Sequence, residues 1–151
     1  MIKFLKKNTS SPYKIFHLHY LEALKVNQES LDVIAVSSFN KNTEEVDSRY
    51  VNLKYINDEE WIFFSNYNSK KGQDFINHNQ VSFLIYWNKI NFQLRMKGNI
   101  AKTSKKFSDE HFQTRSAKKN ALAISSKQSK EIASYEEVIR NYNQVLHNMS
   151  S

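Results

Sequence analysis

The chain has 151 residues, enough for one domain that buries about 70% of its unfolded surface without covalent staples. It contains no cysteine, which excludes disulfides, thiolate metal sites and a cysteine nucleophile. Lysine and arginine number 22 against 15 acidic residues, a formal +7 that favours anionic partners, but Lys6-Lys7, Lys70-Lys71, Lys105-Lys106 and Lys118-Lys119 are dispersed and form no basic block of the nucleic-acid-binding kind.

The opening Met1 to Lys7 turns charged too soon for a secretory apolar core. Ser11-Pro12 then reads as N-cap and first residue of a helix over residues 12 to 26, with Phe16, Tyr20, Leu21 and Leu24 on one face. Leu31 to Phe39 is apolar and β-branched, and the polar stretch Asn40 to Glu45 separates it from a second strand over Asp47 to Tyr55, a hairpin pattern. Asn57-Asp58 offers a turn into a third strand, Trp61 to Ser65, after which Asn68 or Ser69 can cap a short helix reaching His78. With 2 glycines and 1 proline in the whole chain, Asn, Asp and Ser must supply the turns.

Val81 to Trp87 is continuously apolar, as a strand buried on both faces is, and the strongest apolar run, Phe83 to Trp87, is too short to span a bilayer. Phe92, Leu94 and Met96 alternate with Gln93, Arg95 and Lys97, so the next strand turns one side to water or ligand. A helix fits Lys105 to Arg115, an irregular polar segment runs from Ser116 to Ile132, and a last helix starts at Ser134, where Ser134-x-x-Glu137 is a capping box. Strands joined by hairpins with helices at the ends predict a single domain over residues 1 to 151, a small antiparallel barrel of the α+β class. A soluble, cytoplasmic protein is expected.

Cationic residues recur at element edges: Arg49 and Lys54 bracket a strand, and Lys70 and Lys71 fall in a first helical turn. A helix N-terminus already carries partial positive charge, so lysines there cost roughly 0.3–1 kcal/mol unless an anion sits against them. A phosphate reverses that sign. Without such a ligand, the same residues read as an exposed barrel edge on which lysine discourages strand pairing. His17 and His19 stand two apart on a helix and make a poor metal pair, and no metal site is expected.

Arg49-x-Val-x-Leu-Lys54, Phe64-Ser65-Asn66, Ser69-Lys70-Lys71, Gln93 and Lys127-Gln128-Ser129 together resemble the flavin-binding run of the pyridoxamine 5'-phosphate oxidase family, and the match extends from about Pro12 into the last helix. The resemblance implies a Greek-key split β-barrel with peripheral helices, a homodimer, and flavin mononucleotide (FMN) bound between the subunits. It places Arg49, Ser65, Lys70 and Lys71 at the flavin phosphate, the strand Arg49, Tyr50, Val51, Asn52, Leu53 and Lys54 along the ring, and Phe64 beside it. Gln93 matches a ring-edge position, and Gln128 and Ser129 match contacts made by the neighbouring subunit; Trp87 or Tyr86 could line a flavin edge.

Here Lys70 replaces the commoner arginine, which removes a bidentate fork, and Phe64 and Ser65 replace the commoner tyrosine and threonine. The family's substrate phosphate is held at positions that read Lys54, His111, Arg115 and Lys119 in this chain, with His111 and Arg115 sharing one helix face. The changed set is still cationic, as a phosphate or carboxylate pocket is, although a solvated basic helix face has the same composition. No catalytic residue is assigned. Family members usually continue with a segment bearing a Trp, an Arg-x-His pair and a further Arg, whereas this chain ends at Ser151, so a short form is expected. The implied activity is FMN-dependent oxidation of a small anionic amine or alcohol with electrons passed to O2; the alternative is a passive flavin- or pyridoxal-phosphate-binding protein.

Overall fold

The computed structural model describes residues 1–126 and 128–150. Lys127 of the Lys127-Gln128-Ser129 triplet lies outside the described residues. The elements are β1 (Lys3–Lys6), α1 (Ser11–Lys25), β2 (Val33–Asn40), β3 (Glu45–Asn57), β4 (Glu60–Phe63), α2 (Lys70–Asn77), β5 (Gln80–Trp87), β6 (Phe92–Asn99), α3 (Lys105–Gln113), α4 (Ala117–Ser125) and α5 (Tyr135–Ser150). They form two compact units, one made of Met1–Ser65 and Asp74–Ile100, the other of Asn66–Gln73 and Ala101–Ser151.

The first unit is built on a six-stranded sheet of order β1-β3-β2-β5-β6, with β4 also paired to β3. The 13-residue β3 organises it. Its first part, Glu45 to Asn52, pairs antiparallel with β2, while its last part, from Leu53 on, pairs with β4 and, in parallel, with β1. The path ends at β1 and β6, so the sheet does not close among the described residues. One strand thus serves two sheet segments, which is how an open barrel forms from short strands.

The parallel β1/β3 pair departs from the all-antiparallel expectation, and β1 itself has no periodic signal in the sequence. Four residues are too few to show one. The strand is held by its pairing and by Phe4, whose ring meets His17 and Tyr20 of α1 edge-on at 4.6 and 5.2 Å. The N-cap position of helix α1 is Ser10, one residue earlier than Ser11 and without a side-chain capping hydrogen bond, and the helix buries Phe16, Tyr20 and Ala23 while Leu21 stays 42% exposed.

Ile34, Val36, Val51, Leu53, Val81, Ile85 and Trp87 fill the inner face of the sheet against α1. The expectation that β5 is buried on both faces does not hold: its burial alternates, and Leu84 and Tyr86 are 40% and 58% exposed on the outer face. An apolar run predicts burial on both faces only if something covers the second one. The turns use polar residues in the left-handed region, among them Asn27, Ser30, Asp58 and Asn91, as the scarcity of glycine requires.

In the second unit, the segment expected to be irregular contains α4. Ser116 caps it, accepting from the Lys119 backbone N–H at 3.4 Å, and Ala121 is fully buried. Ala117, Ala121 and Ala123 supply helix propensity where the apolar pattern is faint. Ser134 caps α5 through the Glu137 N–H, while the Glu137 carboxylate accepts from the Ala133 N–H.

Candidate functional site: cationic residues on β3, α2 and the polar helices

Strand β3 divides its residues between two faces. Arg49, Val51 and Leu53 point inward, with Leu53 fully buried and the Arg49 side chain 20% exposed. Tyr50, Asn52 and Lys54 point outward, and Tyr50 is 79% exposed. Only the backbone of Val51 and Leu53 can therefore serve a ligand lying on the outer face. Gln93 is exposed on that outer face and stands opposite Tyr86 in the β5/β6 register. Trp87, a candidate for a flavin edge, instead lies in the core at 1% exposure against Phe16 and Phe92, whereas Tyr86 does reach the outer face.

Arg49 is not a loose edge cation. Its Nη1 donates to Ser38 Oγ at 2.7 Å and to the Val36 carbonyl at 3.4 Å, and its Nη2 donates to Asp74 Oδ2 at 3.3 Å. Asp47 lies 3.9 Å from Nη2. The Nε–H and a second Nη2–H have no hydrogen-bond partner among the described residues, leaving two donors of the five-donor fork for an anion. Phe64 and Ser65 follow β4, and the Phe64 ring meets Tyr55 edge-on at 6.2 Å.

Lys54 makes a closer pair. Its Nζ donates to Asp32 Oδ2 at 2.8 Å, with the N-terminal ammonium 3.7 Å from the same oxygen. Burial pushes the Asp32 carboxyl up, but the Lys54 hydrogen bond and charge together with the N-terminal charge outweigh it, so Asp32 titrates below its ordinary value. Asp32 also fixes β3 through its carbonyl, which accepts from the Leu53 N–H at 2.7 Å.

In the second unit, Lys70 and Lys71 occupy the first turn of α2, which holds no acidic residue. Fully buried Ser69 caps the helix: its Oγ accepts from the Gly72 N–H at 3.3 Å and donates to the Asn66 carbonyl at 2.6 Å. Gly72 is required here, because a Cβ would sit 2.4 Å from the Tyr67 carbonyl oxygen. Lys71 Nζ donates to Gln128 Oε1 at 2.9 Å, which brings together two residues 57 apart in the sequence. Ser129 adopts a φ of 65°, and Lys102 stacks over the Tyr67 ring at 4.6 Å.

His111 lies on α3, but the helix ends at Gln113 and Arg115 falls beyond it, so the two do not share a helix face. Thr114 caps the helix, and Arg115 turns back to donate from Nη2 to the Lys119 carbonyl at 2.9 Å while its guanidinium covers Phe112 at 4.9 Å. A four-residue spacing gives a shared face only while the helix continues. Lys119 also lines, with Lys118, Leu122, Tyr135, Val138, Ile139 and Tyr142, an open groove of about 340 Å³ between α4 and α5. Asp32, Ser38 and Asp74, the partners of the predicted cations, had no signal in the sequence, since none lies within ten residues of the cation it meets.

Among the described residues no group of three or more His, Asp or Glu side chains is arranged to hold a metal, and no helix is long and apolar enough to cross a membrane.

The sheet topology defines an open-barrel α+β protein, and comparison with known proteins gives the family. The family model described as pyridoxamine 5'-phosphate oxidase matches residues 22–148. The pyridoxine/pyridoxamine 5'-phosphate oxidases of Ehrlichia ruminantium and Colwellia psychrerythraea are 32% identical over 133 residues and 33% identical over 128 residues, alignments that cover 88% and 85% of this chain. The chain spans 68% and 58% of those two relatives. In structure it is similar to PhzG from Burkholderia lata 383, solved in complex with tetrahydrophenazine-1-carboxylic acid, with a TM-score of 0.87 at 19% identity over 97% of this chain and 71% of that one. A pyridoxamine 5'-phosphate oxidase-related, FMN-binding protein from Nostoc punctiforme aligns with a TM-score of 0.66 at 12% identity, covering 87% of this chain and 72% of that one. The chain belongs to the pyridoxamine 5'-phosphate oxidase family, and its fold is the split barrel of those structures.

Proposed function

We propose that this protein binds FMN and uses it to oxidise a small phosphorylated or otherwise anionic amine or alcohol, with O2 as electron acceptor. The observation that carries the reading is the family match over residues 22–148, which contains every residue assigned to the cofactor. The donor chemistry fits the flavin phosphate: Arg49 keeps two donors available, Ser65 carries a hydroxyl, and Lys70 and Lys71 open a helix with no acid in its first turn. Gln93 and the outward face of β3 supply polar contacts for the ring edge, and Gln128 and Ser129 are assigned to the flavin of the neighbouring subunit. The exposed outer face bearing Tyr50, Leu84 and Tyr86 suits the second subunit of a homodimer, whose contact would also exclude water from the ring.

Arg49, Ser65, Lys70 and Lys71 would hold the FMN phosphate, and the flavin would supply the redox chemistry, as acceptor of a hydride and donor of electrons to oxygen. The protein's own residues bind and orient the substrate: Lys54, His111, Arg115 and Lys119 are assigned to its anionic group. The test is anaerobic mixing of the FMN-loaded protein with pyridoxamine 5'-phosphate and pyridoxine 5'-phosphate. Loss of the flavin absorption band within the first turnover supports oxidation, and an unchanged band overturns it.

A second reading, a binding protein without turnover, is favoured by one pair of contacts. Lys54 is closed by Asp32 at 2.8 Å and Arg115 is turned onto the Lys119 carbonyl, so two of the four substrate cations are already engaged. Tight binding of pyridoxal 5'-phosphate without any flavin bleaching by amines is the result that reading expects.

A further inference from the structure

We propose that Asp74 is the positioning residue of Arg49, holding its guanidinium in the orientation that receives a ligand phosphate. This rests on the FMN reading above and adds to it a residue outside the flavin-binding run. Asp74 is 2% exposed, and a carboxylate at that depth is costly unless its oxygens are met by donors. Asp74 is on α2 and its side-chain donors come from β2 and β3: Ser38 Oγ at 3.1 Å and Arg49 Nη2 at 3.3 Å reach Oδ2, and Asn40 Nδ2 at 2.9 Å reaches Oδ1.

Ser38, itself buried, links the two charged groups. It accepts from Arg49 Nη1 at 2.7 Å and donates to Asp74, so the guanidinium is fixed at both terminal nitrogens. Arg49 stands opposite Val36 in the register and Asp47 opposite Ser38, which sends the arginine side chain along the inner face towards Ser38. The fork is therefore locked on one side, and the donors left over have a defined direction. Because Asp74 offsets the arginine charge, the selectivity this site gains for phosphate comes from directed hydrogen bonds rather than from net charge.

Asp74→Asn removes the negative charge opposite the guanidinium and puts an amide NH2 where three donors already converge, so one donor loses its acceptor and the hold on Arg49 weakens. The experiment titrates FMN and riboflavin, which differ only by the phosphate, into wild type, Asp74→Asn, Ser38→Ala and Arg49→Met, following flavin fluorescence quenching, with far-UV circular dichroism to establish folding. The proposal expects Asp74→Asn to weaken FMN about tenfold, the worth of one charged hydrogen bond, with riboflavin affinity unchanged. Ser38→Ala, which removes only the linking hydroxyl, is expected to weaken FMN about threefold on the same grounds and serves if Asp74→Asn does not fold. A merely structural carboxylate would move both flavins together. An FMN-to-riboflavin affinity ratio lowered by Arg49→Met but untouched in both folded variants, or raised in either, overturns the role of Asp74 alone. A wild type that binds neither flavin, or a ratio that ignores Arg49→Met, overturns the FMN site and this proposal with it.

Discussion

Gly72→Ala separates helix propensity from the geometry of the turn that opens α2. Alanine in a helix interior is favoured over glycine by about 1 kcal/mol, so propensity alone predicts stabilisation. The structure predicts the opposite. A Cβ on residue 72 would lie 2.4 Å from the Tyr67 carbonyl oxygen, 2.8 Å from its carbon and 3.0 Å from the Asn66 oxygen. Even a favourable C–H···O contact needs about 3.3–3.6 Å, so the overlap is about 1 Å and the atoms met are backbone. That backbone is tethered, since the Asn66 carbonyl accepts from Ser69 Oγ at 2.6 Å and from the Ser69 N–H at 3.2 Å. Relieving the clash costs about 1–3 kcal/mol of overpacking and about 1 kcal/mol for a weakened hydrogen bond, against the propensity gain of about 1. The net loss of about 1–3 kcal/mol corresponds to a melting temperature lower by about 2–12 °C for a chain of this size. Thermal melts of Gly72→Ala and of Gly98→Ala, whose Cβ would meet nothing within 4 Å, make the comparison. Gly98→Ala should melt within a degree or two of wild type or slightly above, and a Gly72→Ala protein melting at or above wild type would show that the turn accommodates a Cβ at residue 72 without cost.

Three further outcomes are expected. Leu53→Ala, at a fully buried position where β3 passes from one sheet segment to the other, should cost about 2–5 kcal/mol in chemical denaturation without changing the ligand-facing side chains. Asp32 should titrate below 3.8 in wild type and move upward in Lys54→Met, as read by carboxyl carbon NMR; because its folded value is depressed, the stability it contributes is present above 3.8 and is lost as pH falls through the folded value, so Lys54→Met should flatten the acid limb of the stability curve. Arg49→Glu should abolish FMN retention on desalting, since it places a carboxylate against Asp74 and the phosphate alike, and retention equal to wild type would remove Arg49 from the site.

The strands of the first unit were legible because β2 is apolar and β-branched, β6 alternates, and the Asn and Asp turns announce themselves where glycine is scarce. β1 was not, because a four-residue strand has no period and exists only through its pairing with Tyr55, Ile56 and Asn57. α4 was hidden among polar residues, its Ser116 cap lacking a glutamate three positions on and its apolar residues Leu122 and Ile124 remaining more than half exposed. The cations of the site were legible as charges at element edges. Their acidic partners were not: Asp32 lies 22 residues from Lys54 and Asp74 lies 25 from Arg49, and only the folded chain brings them within hydrogen-bond reach. Arg115 was misplaced because a spacing rule was carried past a helix end at Gln113 that no residue in the sequence marks strongly.

The visible absorption spectrum of the purified protein, recorded after incubation with excess FMN and desalting, reports directly whether the site holds the flavin. Flavin bands should be retained at up to one FMN per chain, with retention lost when riboflavin replaces FMN. A colourless protein after desalting would contradict it, leaving the family fold without the cofactor chemistry assigned to Arg49, Lys70 and Lys71.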